Sequence, residues 1–191
     1  MNNQAHKLII IAAPSGSGKT SITKYLLNKY PILSLSISAA TRKPREGEQN
    51  GVQYHFLSES DFRKKIEADD FVEWEMVYQG SYYGTLKSEL QRIWDLSKIP
   101  ILDIDVKGAI HLQQQFGDTC LSIFIEPPSI EELKNRLMSR GTETAESLAN
   151  RVNKASYEMS FRNHFHKTIL NKDLAVACAE TEKLIKDFLG W

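Results

Sequence analysis

Ala13-Pro14-Ser15-Gly16-Ser17-Gly18-Lys19-Thr20 is the stretch of this chain with the clearest chemical content. It keeps the Walker A spacing, with alanine in the first position where the strict pattern has glycine. Glycines let successive backbone N–H groups turn inward onto phosphate oxygens. Lys19 is spaced to reach the β- and γ-phosphates, and the Thr20 hydroxyl to meet Mg²⁺. A helix opening near Gly18 would aim its positive end at the same anion. The stretch therefore predicts a site for a nucleoside triphosphate with Mg²⁺.

Two further groups of residues carry chemistry. Asp103 and Asp105 lie in an apolar run, residues 99–106 (IPILDIDV). Read as one strand, it puts both carboxylates on the same face. At the C-terminal end of a central strand they would hold Mg²⁺ through water or catch a second substrate. Residues 36–56 read SISAATRKPREGEQNGVQYHF. There Arg42 and Arg45 flank a stiffening proline, and guanidinium forks suit bidentate contact with phosphate. Tyr54 adds a hydroxyl. By themselves these residues describe either a compact anion site or a solvated loop.

The elements that must position these groups are legible from periodicity. Residues 7–13 (KLIIIAA) read as a buried strand, and residues 18–30 as a helix ended by Pro31. Further strands are expected at 32–38, 99–106, 120–126 and 167–170. Helices are expected at about 58–68, 86–97, 108–116, 129–140, 146–162 and 173–189. Ser58/Asp61 and Ser129/Glu132 carry capping signals. Residues 71–85 read as a hairpin about Gln79-Gly80. Near-continuous apolar strands alternating with helices imply an α/β fold, a five-stranded parallel sheet covered on both faces. Residues 39–85 interrupt that alternation as an inserted, more antiparallel part.

Composition narrows the function classes. The 191 residues are 41% hydrophobic and 25% charged, which excludes a disordered or disulfide-scaffold chain. With 24 basic and 24 acidic residues the formal net charge is zero, so nucleic acid is not an expected partner. No apolar run approaches the roughly 20 residues that span a membrane. The six-residue apolar stretch 8–13 is short for a signal peptide. Cys120 and Cys178 have no metal-ligand spacing and are expected as reduced core thiols in a cytoplasmic protein. His164 and His166 carry no metal signal beyond their alternation. Trp74, Trp94 and Trp191 are expected to pack rather than to stack on substrate.

The ordered motifs resemble those of the guanylate kinases, and the resemblance spans nearly the whole chain. The family's PSGxGK matches residues 14–19. Its SxSxTTRxPRxGExxGxxYxF matches residues 36–56, with Ala40 in place of the first threonine. Phe71-Val72-Glu73-Trp74, Tyr82-Tyr83-Gly84-Thr85, the lid motif at residues 136–144, Arg151 and Asn171-Lys172-Asp173 follow in family order. The DIDxQG motif appears as residues 103–108 with Lys107 replacing glutamine. That adds a cation beside the two aspartates, expected to pair with one of them or to touch phosphate.

The resemblance implies transfer of the γ-phosphoryl of ATP to GMP, and also to dGMP, for guanine nucleotide synthesis and GMP recycling. It implies a P-loop core (residues 1–36, 89–126 and 161–191), a small mixed GMP-binding insertion (37–88) and a helical lid (127–160). By the family pattern, ATP is held by Ala13, Pro14, Ser15, Gly16, Ser17, Gly18, Lys19, Thr20 and Ser21, with Arg136, Arg140 and Asn171. GMP is held by Ser38, Arg42, Arg45, Tyr54, Glu73, Tyr83, Gly84, Thr85, Asp103 and Asp105. Lys19, Arg45, Arg140 and Arg151 are the implied catalytic cations. Thr20 would hold Mg²⁺, with Asp103 or Asp105 through water. The implied partners are ATP and GMP only, and the chain a monomer or homodimer. Two alternatives remain at this level. A non-catalytic guanylate kinase-like binding module would carry an eroded phosphate loop, whereas Lys19 and Thr20 are intact. A kinase for another nucleoside monophosphate would lack the guanine-reading pair Ser38 and Glu73. A switch GTPase would need NKxD, and Asn171-Lys172-Asp173 is one residue short.

Overall fold

Leu8–Ala12, five apolar residues in a row, form the central strand β1, and all five are fully buried. The structure, a computed structural model, describes residues 6–78, 80–139 and 145–191. Side chains of a strand alternate between faces, so β1 feeds two separate cores. Ile9 and Ile11 pack with Ile22 and Leu26 of α1 (Lys19–Lys29) and with Ala177 and Ile185 of α7 (Leu174–Leu189). Leu8, Ile10 and Ala12 pack with Leu90 of α3 (Lys87–Asp95) and with Ala109 and Leu112 of α4 (Val106–Phe116). Burying each Leu or Ile is worth about 1.5–3 kcal/mol, so this strand alone anchors both layers.

The main sheet has five strands in the order β2-β7-β1-β8-β9, and every pairing is parallel. Its other members are β2 (Leu33–Leu35), β7 (Ile99–Asp103), β8 (Cys120–Glu126) and β9 (Lys167–Leu170). The connection reverses direction beside β1, and such switch points open a crevice at the C-terminal strand ends. A second, mixed sheet has the order β4-β3-β6-β5. It contains β3 (Ala39–Ala40), β4 (His55–Phe56), β5 (Phe71–Tyr78) and β6 (Ser81–Leu86). Helix α2 (Glu59–Glu67) packs Phe62 against Phe71 and Tyr82 of that sheet. Helices α5 (Ile130–Met138) and α6 (Ala145–Met159) share a small core of Leu133, Leu137 and Ala155.

Five parallel strands and the 71–85 hairpin agree with the sequence reading, while several boundaries do not. The run 99–106 is not one strand. β7 stops at Asp103, and Asp105 caps α4 by accepting a hydrogen bond from the Gly108 N–H (2.8 Å). A free N-terminal turn needs such an acceptor, and aspartate supplies it better than a strand uses it. The strand expected at 32–38 ends at Leu35, because the chain there leaves the main sheet for the small one. Ser58 and Ser129 cap α2 and α5 as expected. Gln79 and the expected helix end at Arg140-Gly141 lie outside the described residues. Cys120 and Cys178 are buried and form no disulfide. His166 accepts from the Ser122 N–H through Nδ1 (3.2 Å), a structural role. No helix among the described residues is long and apolar enough to cross a membrane.

Candidate active site

The loop between β1 and α1 is shaped by two glycines in left-handed backbone, Gly16 (φ 96°) and Gly18 (φ 91°). An L side chain pays about 1–2 kcal/mol there, and space is also short. A Cβ on Gly16 would lie 3.2 Å from Leu137 of α5. Gly18 lies against the buried side chain of Asn171, whose amide donates to the Ser17 carbonyl (2.6 Å). Asn171 thus braces the loop from beneath and is not on the cleft wall. Arg136 lies beside it, donating to the Asn171 carbonyl (3.1 Å) and to Glu132 (3.0 Å).

Lys19 opens α1 and forms an ion pair with Asp103 at the end of β7. Burial pulls its ammonium down to about 8, opposed by the attraction of Glu158 and Asp105. At neutral pH it therefore remains a cation, set in a partly buried cleft wall where it attracts phosphate more strongly than it would in bulk water. Arg151 of α6 donates to the Ser15 hydroxyl (2.7 Å), so this helix already touches the loop. Arg140 lies outside the described residues.

Facing the loop across one cleft of about 850 Å³ are Ser38, Arg45, Tyr54, Glu73 and Tyr83. Antiparallel pairing sets Glu73 directly opposite Thr85, and the Thr85 hydroxyl donates to the Glu73 carboxylate (2.7 Å). Gly84 permits this pairing, since a Cβ there would meet the Glu73 carbonyl at 2.7 Å. Glu73 is buried, and burial pushes its carboxyl up to about 7, with the Thr85 hydrogen bond opposing and Asp105 adding to the rise. Carboxylates shifted in this way by burial are concentrated in clefts that bind ligands. Arg42 sits outside the cleft lining. Its guanidinium grips Glu48 bidentately (2.6 and 2.7 Å) and lies 4.8 Å over the Tyr54 ring. It props Tyr54 from behind.

Four contributors escaped the sequence reading. Glu48 holds Arg42 and also accepts from the Arg45 N–H (2.8 Å); the GE pair in the loop was its only signal. Glu75 follows Glu73 at the strand period and lines the same cleft. Lys154 and Glu158 lie one and two turns beyond Arg151 on α6 and also face it; their i, i+3, i+7 spacing was the available clue. Lys107 departs from the expectation placed on it. Its ammonium lies 3.7 Å from Glu75 and 5.9 Å from the Tyr157 ring, so it pairs with the hairpin and not with Asp103 or Asp105. Lys107 sits in the first turn of α4 beside the hairpin strand β5, so Glu75 is the carboxylate in its reach. Trp74, Trp94 and Trp191 pack against Tyr82, Phe116 and Tyr30 respectively, and none of them lines the cleft.

Known proteins match this chain along nearly its whole length. The family described as "Guanylate kinase" matches residues 5–188. A guanylate kinase of Porphyromonas gingivalis is 48% identical over 185 residues, covering 96% of this chain and 98% of that protein. One from Bacteroides thetaiotaomicron is 47% identical, covering 96% and 90%. In fold, the chain is similar to the crystal structure of guanylate kinase from Anaplasma phagocytophilum (TM-score 0.77, 24% identity, 97% of this chain and 87% of that one). A family match over almost the full length, close relatives across the whole chain and a cleft holding the P-loop opposite Glu73 converge on one assignment: the chain belongs to the guanylate kinase family.

Proposed function

We propose a division of labour in this cleft for the family reaction, ATP plus GMP giving ADP plus GDP. The observation that carries it is a single cleft lined by the P-loop on one wall and by the Thr85-held Glu73 carboxylate on the other. Guanine presents N1–H and N2–H donors side by side, which a carboxylate accepts and which adenine cannot offer. Glu73 reads that edge with Ser38, and Thr85 keeps one carboxylate oxygen in place. Arg45, Tyr54 and Tyr83 hold the GMP phosphate, with Arg42 and Glu48 fixing Tyr54 and the loop behind it. Asp103, Asp105 and Gly84 complete the GMP side.

The P-loop from Ala13 through Ser21 cradles the ATP phosphates, and Lys19 leaves Asp103 for the β- and γ-phosphates. Asn171 and Arg136 act by bracing this loop. Arg151 and Arg140 bring positive charge to the transferring group as residues 127–160 close like a lid over the core and the insertion (37–88). The transition state needs alignment and charge neutralisation more than covalent help. Closure excludes water, so the phosphoryl group passes to GMP and not to hydrolysis. Mg²⁺ fits the hard oxygen donors here, the Thr20 hydroxyl with Asp103 or Asp105 through water. Bound with ATP it would neutralise charge between the β- and γ-phosphates.

Unpaired buried cysteines support the cytoplasm as the compartment, where the chain serves purine nucleotide metabolism. All the residues invoked come from one chain, so a monomer suffices, and a homodimer would leave the chemistry unchanged. The zero net charge supports small-molecule partners over nucleic acid. A coupled assay of ADP release with Mg-ATP and GMP, dGMP, AMP, UMP or CMP tests the reading. Turnover with GMP and dGMP alone is expected. Turnover with AMP, UMP or CMP at a comparable rate would overturn the role of Glu73.

A further inference from the structure

We infer that Glu89 is a positioning residue for base recognition: it holds the crossing segment 36–38 so that Ser38 faces the guanine end of the cleft. This rests on the reading of Ser38 as a base contact. The segment joins the two sheets. Its last bond to the main sheet is the Ser36 N–H to the Ile101 carbonyl (2.9 Å), and pairing with the small sheet begins at Ala39. Glu89 fills the gap between them. One carboxylate oxygen accepts from the Ile37 N–H (3.0 Å), one residue before Ser38. The Ser38 carbonyl in turn accepts from the His55 N–H (2.9 Å), and the His55 ring lies 3.9 Å from the same carboxylate.

Glu89 is itself immobilised. It is 4% exposed in the first turn of α3, and Arg92 grips it with two hydrogen bonds (2.9 and 2.8 Å). Burial opposes its charged form, but Arg92 and the Ile37 amide outweigh that, and the carboxyl titrates below its ordinary range. A buried ion pair is a weak stabiliser compared with apolar packing, and its use in a core points to geometry. The chain position gives that geometry a purpose. Glu89 follows Thr85 by four residues, and Thr85 holds Glu73. The end of β6 and the first turn of α3 thus link the Ser38 segment to the Thr85-held Glu73 on the same wall of the cleft.

Steady-state kinetics on Glu89→Gln, with Arg92→Gln and Ser38→Ala alongside and melting temperatures for each, test the inference. Glutamine keeps the volume and one acceptor for Ile37 but sets an amide NH₂ against Arg92. The KM for GMP should rise roughly tenfold, the effect of one displaced hydrogen bond. The KM for ATP should stay within about twofold, and the preference for GMP over AMP should shrink in step. Arg92→Gln should move the same quantities in the same direction by less. If Glu89→Gln does not fold, the Arg92→Gln values decide, since that side chain is half exposed. An unchanged KM for GMP overturns the inference. It falls alone if Ser38→Ala still weakens GMP, and together with the Ser38 reading if Ser38→Ala is also silent. Equal loss for both substrates also overturns it, because Glu89 would then be scaffold.

Discussion

Glu73→Gln should make the protein more stable at alkaline pH while nearly abolishing its use of GMP. The stability side follows from where Glu73 is held. Its carboxyl sits at about 7 in the folded chain because burial opposes the charge, against 4.5 when exposed. Below pH 4.5 both states are protonated and nothing is lost. Between 4.5 and 7 the unfolded chain ionises while the folded one stays protonated, so stability falls as pH rises. Above 7 the cost is complete, on the order of 3 kcal/mol at 1.36 kcal/mol per pH unit. Glutamine does not titrate and can still accept from the Thr85 hydroxyl. The variant should therefore match wild type near pH 4 and melt roughly 6–12 °C higher near pH 8. The activity side has the opposite sign. Glutamine offers one acceptor and an opposing donor to the two guanine N–H groups, and each charge-assisted bond is worth about 1.5–3 kcal/mol. The kcat/KM with GMP should drop roughly 10²–10³-fold at pH 8. That gap should narrow below pH 7, where Glu73 is itself protonated; ionisation of the GMP phosphate affects both enzymes alike and cancels in the ratio. Thermal melts and coupled assays across pH 4–8 measure both. A difference in melting temperature that does not vary with pH would refute the burial argument. Full GMP activity in the variant would refute the base-reading role.

Lys19→Met should lower kcat by roughly 10³-fold or more without lowering the melting temperature, since burial already opposes its charge and the Asp103 it leaves is exposed to water; single-turnover kinetics beside a melt would check both halves. Asn171→Ala leaves the Ser17 carbonyl unpaired in the core and should cost about 1–3 kcal/mol, with a higher KM for ATP than for GMP in relative terms; urea titration and kinetics would read it. The Arg42 guanidinium and the Arg45 N–H hold the Glu48 carboxyl down at about 2. The stability this pair contributes is fully present above the ordinary carboxylate value of about 4.5. It is lost as pH falls toward 2, so acid unfolding of Glu48→Gln should be shallower than that of wild type over this range. Lys107→Gln breaks an exposed, solvent-screened pair with Glu75, and activity should stay within about tenfold. A hundredfold loss in the same assay would place Lys107 in the phosphate path.

Sequence alone reached as far as local spacing reaches. The P-loop needs glycines, a lysine and a threonine at fixed offsets, so Gly16, Gly18, Lys19 and Thr20 are visible without coordinates. LIIIA at residues 8–12 and CLSIFIE at 120–126 are buried on both sides and read as parallel strands for that reason. The pairing of Glu73 with Thr85 was not legible there: the turn sets Tyr78 opposite Ser81, and only a register shift between Met76 and Tyr78 brings Glu73 opposite Thr85. What three dimensions decided is which charges meet across elements. Asp105 looked like a strand partner of Asp103 and became a helix cap, because the chain turns after Asp103 and a helix start needs an acceptor. Arg42 is gripped by Glu48, a contact that the spacing did not announce, since only the folded loop brings those side chains together. Asn171 met the P-loop from 154 residues away, and Lys107 of α4 found Glu75 on the small sheet. Spacing along the chain encodes periodic faces and tight turns. Contacts between distant segments depend on how those faces pack, and packing is a property of the whole fold.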